Sequence, residues 1–109
     1  MREILFRGKR IETGEFAYGF LVKMFGAYHI IDKDDENTAY EVIPETVGQY
    51  TGLKDKNGKR IFENGYMIID KQTYKVLFDN GEYILKNIFN CDIMQLKNNS
   101  NIGVFVDEI

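Results

Sequence analysis

Histidine, cysteine, serine and proline occur once each in this 109-residue chain, and tryptophan does not occur. A single cysteine, Cys91, excludes an intrachain disulfide and suits a reducing compartment; its simplest role is that of a small apolar residue. One cysteine and one histidine cannot build a zinc site of the usual nitrogen–sulfur kind within a chain. His29 lies between Tyr28 and Ile30 and reads as a packed or surface residue rather than a general base. Ser100 sits in a polar stretch with no adjacent histidine and no strand–turn–helix setting that would sharpen it into a nucleophile. The glycines fall in turns, not between a strand and a helix, so no phosphate-cradling loop is present. These absences argue against an enzyme and against any cofactor. No apolar run approaches the roughly 18–20 residues of a membrane helix, and the first seven residues interrupt their apolar stretch with charge, unlike a signal peptide. The expectation is a soluble cytoplasmic protein with no membrane partner.

What the chain does have is β-forming material. Hydrophobic residues make up 44% of it, enough for a core, and the 7 Tyr and 8 Phe, with many Ile and Val, favour strands over helices. No helical spacing of apolar residues persists for more than about two turns. Extended segments are expected from Ile4 through Gly8, over residues 15–24, 28–31 and 39–43, and briefly at 49–51 between Gly48 and Gly52. In the first, Arg7 and Lys9 point away from the apolar side; in the second, Phe16, Tyr18, Phe20 and Val22 share one face at period 2. Pro44 should end a strand or lie on an edge, because it cannot donate to a ladder. Asn57-Gly58 signals a type I′ hairpin, as does Asn80-Gly81. Five short strands at 66–70, 73–78, 82–86, 93–96 and 102–106 then follow, with residues 87–91 a bend or a single helical turn. That spacing predicts an all-β protein, with an N-terminal antiparallel sheet (residues 1–62) packed on a small C-terminal SH3-like barrel (63–109). A barrel of that size is marginal alone and needs the N-terminal sheet or a second copy.

The net charge is −3, which weighs against general nucleic-acid binding. Charge is nevertheless uneven. Arg2, Arg7, Lys9 and Arg10 face only Glu3 among the first ten residues, and Lys54, Lys56, Lys59 and Arg60 face only Asp55 around the Asn57-Gly58 turn. Asp32, Asp34, Asp35 and Glu36 oppose only Lys33; they lack the spacing of a calcium loop and read as a solvated acidic loop. Such patches are ordinary surface in most proteins. The sharper reading makes Lys54, Lys56, Lys59, Arg60, Arg7 and Arg10 partner contacts, basic hairpin against the acidic loop of another copy. Two functions follow. One is a self-assembling interaction module that meets another protein through an edge strand. The other is a nucleic-acid-binding accessory protein using the same basic residues, with exposed Tyr or Phe stacking on bases.

The stretch Val42-Ile-Pro-Glu-Thr-Val-Gly-Gln-Tyr-Thr-Gly-Leu-Lys-Asp-Lys-Asn-Gly58 resembles the central signature of the YopX-like proteins of bacteriophages and prophages. Arg7-Gly-Lys-Arg10 with Gly14-Glu-Phe16 and Tyr18-Gly19 is similar to that family's opening hairpin, and Ile61-Phe-Glu63 and the Phe78-to-Gly81 turn fit its later elements. The resemblance implies phage origin, a bacterial host cytoplasm, a host or phage protein as the interaction module's partner, and an all-β fold with an SH3-like C-terminal half. It brings no catalytic residues. The chain departs from the pattern at Asn64-Gly65-Tyr66, where the family has an acidic residue after the glycine, and in its C-terminal residues 102–109.

Overall fold

The computed structural model describes residues 4–109 of the chain, so the expected contribution of Arg2 lies outside the described residues. The protein is mainly β: eleven strands and three short 3-10 turns, with no α-helix among the described residues. It divides into two compact units, Met1–Tyr50 and Thr51–Ile109, so the Asn57-Gly58 hairpin belongs to the second.

In the first unit, β1 (Phe6–Lys9), β2 (Phe16–Met24), β3 (Ala27–Asp32) and β4 (Ala39–Glu41) form an antiparallel meander in the order β4-β3-β2-β1. Beyond β1 lies the start of β5 (Gly48–Lys54), with Gly48 and Gln49 opposite Arg7 and Phe6. β5 does not stop at Gly52; it passes through that glycine at φ 87°. Pro44 opens a 3-10 turn, Pro44–Thr46, where its missing N–H leaves nothing unpaired. Regular pairing ends before it: Val42 forms an isolated bridge to Arg10, and its N–H donates to the Tyr28 carbonyl at 3.0 Å.

The core of this unit is built from Ala17, Ile30 and Val42, with Phe6, Leu21, Tyr40 and Val47 packed around them. Register puts these residues on one face: Gly8 lies opposite Ala17, Leu21 opposite Ile30, and Ile30 opposite Tyr40. The period-2 aromatic series Phe16, Tyr18, Phe20 and Val22 is therefore on the other face, and Phe20 is 55% exposed. Small residues explain the choice. A Cβ on Gly8 would lie 2.8 Å from the Val42 Cβ, and one on Gly19 only 1.7 Å from the Ile31 carbonyl oxygen. The interior contacts are closer than a row of phenyl rings permits.

The second unit begins with the rest of β5 and its neighbour β6 (Arg60–Phe62), whose Ile61 carbonyl accepts a hydrogen bond from the buried Thr51 hydroxyl at 2.8 Å. A five-stranded antiparallel sheet follows: β7 (Tyr66–Ile69), β8 (Gln72–Asp79), β9 (Glu82–Asn87), β10 (Ile93–Gln95) and β11 (Val104–Val106). Its order is β10-β9-β8-β7-β11, so the last strand returns to the first after the 3-10 turns Leu96–Asn98 and Ser100–Ile102. Met67, Val76, Leu85 and Phe105 are fully buried on its inner face and Leu96 closes one end.

Turn geometry follows the residues. Asn80-Gly81 has positive φ at both positions (50° and 81°), as a type I′ turn requires, and the same pattern occurs at Phe25-Gly26 and Asp70-Lys71. Asn57-Gly58 departs from expectation: of the pair only Gly58 has positive φ, at 82°. Here the Asp55 N–H donates to the Lys59 carbonyl and the Gly58 N–H to the Asp55 carbonyl, giving a wider turn wound around the Asp55 side chain.

Candidate functional site

The basic hairpin is organised by its one acid. Asp55 is 6% exposed, although Lys54, Lys56, Lys59 and Arg60 around it are all exposed. Its Oδ1 accepts the N–H groups of Asn57 (2.8 Å) and Lys59 (2.9 Å), and its Oδ2 accepts the N–H of Phe105 at 2.8 Å. Burial alone would raise its pKa. The backbone N–H groups of Phe105, Lys59 and Asn57, with the Lys59 charge, outweigh burial and hold it below 3.8. Lys59 Nζ is 3.8 Å from Asp107 Oδ2 and 5.5 Å from the Phe105 ring centroid. Turn and last strand are thus joined by the Asp55 carboxylate, with the Lys59–Asp107 pair and a hydrogen bond from the Lys56 N–H to the Gly103 carbonyl at 3.2 Å beside it. The other three basic residues, Lys54, Lys56 and Arg60, are exposed and adjoin the turn in the chain.

Arg7 and Arg10 are in a different setting, inside the first unit. Arg7 is 1% exposed, and its guanidinium carbon lies 4.1 Å from the Phe16 ring centroid. It does point away from the Phe6 side of β1, as expected, but the face it meets is the aromatic one, with Tyr18 directly opposite. Arg10 stacks at 4.0 Å on Tyr40, and its buried Nε has no acceptor among the described residues. The depression beside it, of about 240 Å³, is also lined by Glu15, Asp32 and Asp34, so the local charge is mixed. These two arginines are stacking groups. The basic residues named from sequence are therefore gathered only in part, at the hairpin.

The acidic loop folds on itself. Asp32 Oδ1 accepts the Asp34 N–H at 2.8 Å; Asp35 accepts the Thr38 hydroxyl at 2.6 Å and the Asn37 N–H at 3.1 Å. The Thr38 hydroxyl, and then the Asn37 N–H, lower the Asp35 pKa below its ordinary value. Among the described residues no group of three His, Cys, Asp or Glu side chains converges to hold a metal ion. His29 Nδ1 is 3.1 Å from the Ala27 carbonyl oxygen, a contact that makes Nδ1 the donor.

Sequence reasoning missed two exposed aromatics. Phe25 is 100% exposed and left-handed, at φ 53°. The non-glycine φ is an uncommon conformation that costs a residue about 1–2 kcal/mol. Phe89 is 87% exposed in the segment between β9 and β10. For Phe25 the signal was legible: a two-residue Phe-Gly gap between alternating strands. No helix among the described residues is long and apolar enough to cross a membrane.

Comparison with curated proteins finds no significant match. Against families the result is clear. Residues 5–105 match the YopX protein family, nearly the whole described chain and every strand above except the last residue of β11, and the protein belongs to that family.

Proposed function

We infer that the protein is a β-rich interaction module that assembles with copies of itself and carries no catalytic activity of its own. The observation that carries this reading is the aromatic face of the first unit. Phe16, Tyr18, Phe20, Val22 and Met24 on β2 adjoin Ala27, His29 and Ile31 on β3, opposite the core face, and none of these side chains is buried. The series itself holds no carboxylate or ammonium. The flanking strands place Arg7 (stacked on Phe16) and Lys9 at one margin of the face and Glu41 at the other, so a second copy seated on the central Phe20 stretch covers apolar surface and leaves those charges at the rim. Acidic residues number nine against six basic ones in residues 1–50, so an acidic partner would be repelled by the surrounding surface. A phage-encoded role in the bacterial cytoplasm is part of this proposal and rests on the resemblance of the Val42–Gly58 signature alone. The strand order β10-β9-β8-β7-β11, with 3-10 turns before the closing strand, supports an SH3-like reading of the second unit.

Light scattering behind size-exclusion chromatography tests the assembly over a wide dilution series. The wild type should be an oligomer that dissociates on dilution, and Phe20→Lys should be monomeric with an unchanged circular-dichroism spectrum. A wild type that is monomeric at every concentration would refute self-assembly. An oligomer indifferent to Phe20→Lys would refute this face.

The second reading, a nucleic-acid accessory role, draws on the exposed Lys54, Lys56, Lys59 and Arg60 cluster. It predicts oligonucleotide binding that weakens steeply with salt and disappears when Lys54 and Lys56 become glutamine.

A further inference from the structure

Unlike the basic hairpin, a second cationic feature of the Thr51–Ile109 unit has no carboxylate beside it. Lys75 on β8 and Lys86 on β9 are register partners, directly opposite each other in the antiparallel pair. Like charges so placed oppose sheet formation. Neither has an ion-pair partner among the described residues. They line a shallow groove of about 540 Å³ whose other walls are Leu77, Asn87, Ile88, Phe89, Asn90 and Cys91. That volume is at the scale of small-ligand sites, about 300–1,000 Å³.

The wall that carries Phe89 is built and fixed. Asn87 is buried; its Oδ1 accepts the N–H groups of Phe89 (2.8 Å) and Asn90 (3.2 Å), and its Nδ2 donates to Gln72 Oε1 at 2.7 Å. The backbone adds a bond from the Asn87 N–H to the Asp92 carbonyl and one from the Ile88 N–H to the Thr73 carbonyl. Asn90 Oδ1 accepts the Asp92 N–H at 2.8 Å, while its amide Nδ2 makes no hydrogen bond among the described residues. A phenyl ring is thus held almost wholly in solvent by a loop that has little freedom to withdraw it.

We propose that this groove binds a short stretch of single-stranded nucleic acid, with a base stacked on Phe89 and the adjoining phosphates on Lys75 and Lys86. The three chemistries needed are side by side: an exposed aromatic plane, two unpaired ammonium groups and a free amide donor for a base edge. The absence of any carboxylate from the walls removes the usual obstacle in an acidic protein, and residues 51–109 are electrically balanced, with eight basic and eight acidic side chains. An acidic peptide would use the lysines but has no need of the fixed ring. The groove is small, so it holds one or two nucleotides, and the sequence preference is weak. This inference does not depend on self-assembly, which uses the other unit.

Cys91 provides a direct readout, being the only thiol in the chain and an exposed wall of the groove. Full-length protein should bind a fluorescent oligothymidine at low ionic strength, and saturating oligothymidine should slow alkylation of Cys91. Phe89→Ala should weaken binding about 5- to 150-fold, the range for loss of one stacked base. The double variant Lys75→Gln, Lys86→Gln should lower the slope of log affinity against log salt by about 1.4, for two lost phosphate contacts on a single strand. Its melting temperature should be unchanged or higher, because the like-charge pair is gone; a merely structural role for the lysines would lower it. Lys54→Gln with Lys56→Gln should leave both binding and Cys91 protection intact. Four outcomes overturn the proposal: no binding at low salt, binding indifferent to both groove variants, binding abolished by the hairpin variant instead, or equal protection of Cys91 by polyglutamate. The last would assign the groove to an acidic protein partner.

Discussion

Replacing Asp55 should affect the stability of the second unit more than any other exposed-hairpin substitution, and the structure sets the size of the effect. Its carboxylate accepts three backbone N–H groups, those of Asn57, Lys59 and Phe105. In Asp55→Ala the first two regain water, since both residues are exposed, and each lost bond costs at most about 1 kcal/mol. Phe105 is buried, so its N–H stays unpaired at a further cost of about 1–3 kcal/mol. The total is about 1–5 kcal/mol, against a typical domain stability of about 5–15 kcal/mol. Asp55→Asn retains one carbonyl oxygen for the turn but loses the charge and one acceptor, and should cost about 2 kcal/mol. Urea unfolding followed by far-ultraviolet circular dichroism measures both. The pH dependence has a definite sign. The folded-state pKa lies below the ordinary 3.8, so the contribution is fully present above that value and disappears as pH falls through the lower folded one. Asp55→Ala should therefore show a shallower acid-side decline than the wild type. A loss below about 1 kcal/mol, or an acid limb unchanged by the substitution, would refute the assignment of Asp55 as the link between the turn and β11.

Three further substitutions test other parts of the fold. Phe25→Asn should raise stability by about 1 kcal/mol in urea titration, because asparagine tolerates the left-handed φ and no buried contact is lost. Gly19→Ala should destabilise by about 1–3 kcal/mol, since the new methyl meets a backbone carbonyl that cannot rotate away. Asn87→Ala should speed hydrogen exchange at the Phe89 and Asn90 amides by at least tenfold, about 1.4 kcal/mol of local opening, while β7 and β8 remain protected.

Strand existence was legible because alternation and turn residues recur at short intervals, and the Asn80-Gly81 turn followed from its two residues alone. The Asp55 turn was not. Asn-Gly is a local signal, whereas the third bond that fixes this turn comes from Phe105, fifty residues away in sequence. Arg7 escaped for a related reason: its charge suggested solvent, but a neighbouring strand supplies Phe16 as a stacking partner. The basic hairpin was readable as a cluster because its members are adjacent in the chain. The Lys75–Lys86 pair was not readable in that way, because β8–β9 register brings the two lysines together across a turn.

The face chosen for the first core bears most directly on function. Hydrophobicity alone selects Phe16, Tyr18, Phe20 and Val22, the larger apolar series of β2. The fold instead buries the series that contains Ala17, Gly19 and Leu21, because Gly8 and Gly19 allow approaches that no side chain would permit. Close packing gains many small contacts there, and the aromatic series is left on the outside. A strand with two apolar faces is expected where both faces are covered, and in this unit the intramolecular core accounts for only one. A second copy on the Phe20 face would remove that imbalance, converting exposed ring area into buried area at about 25 cal/mol per Å² before the cost of association. Hence a charge at Phe20 should separate the copies while leaving each fold intact, since the Ala17–Ile30–Val42 cluster lies on the opposite side of the strand.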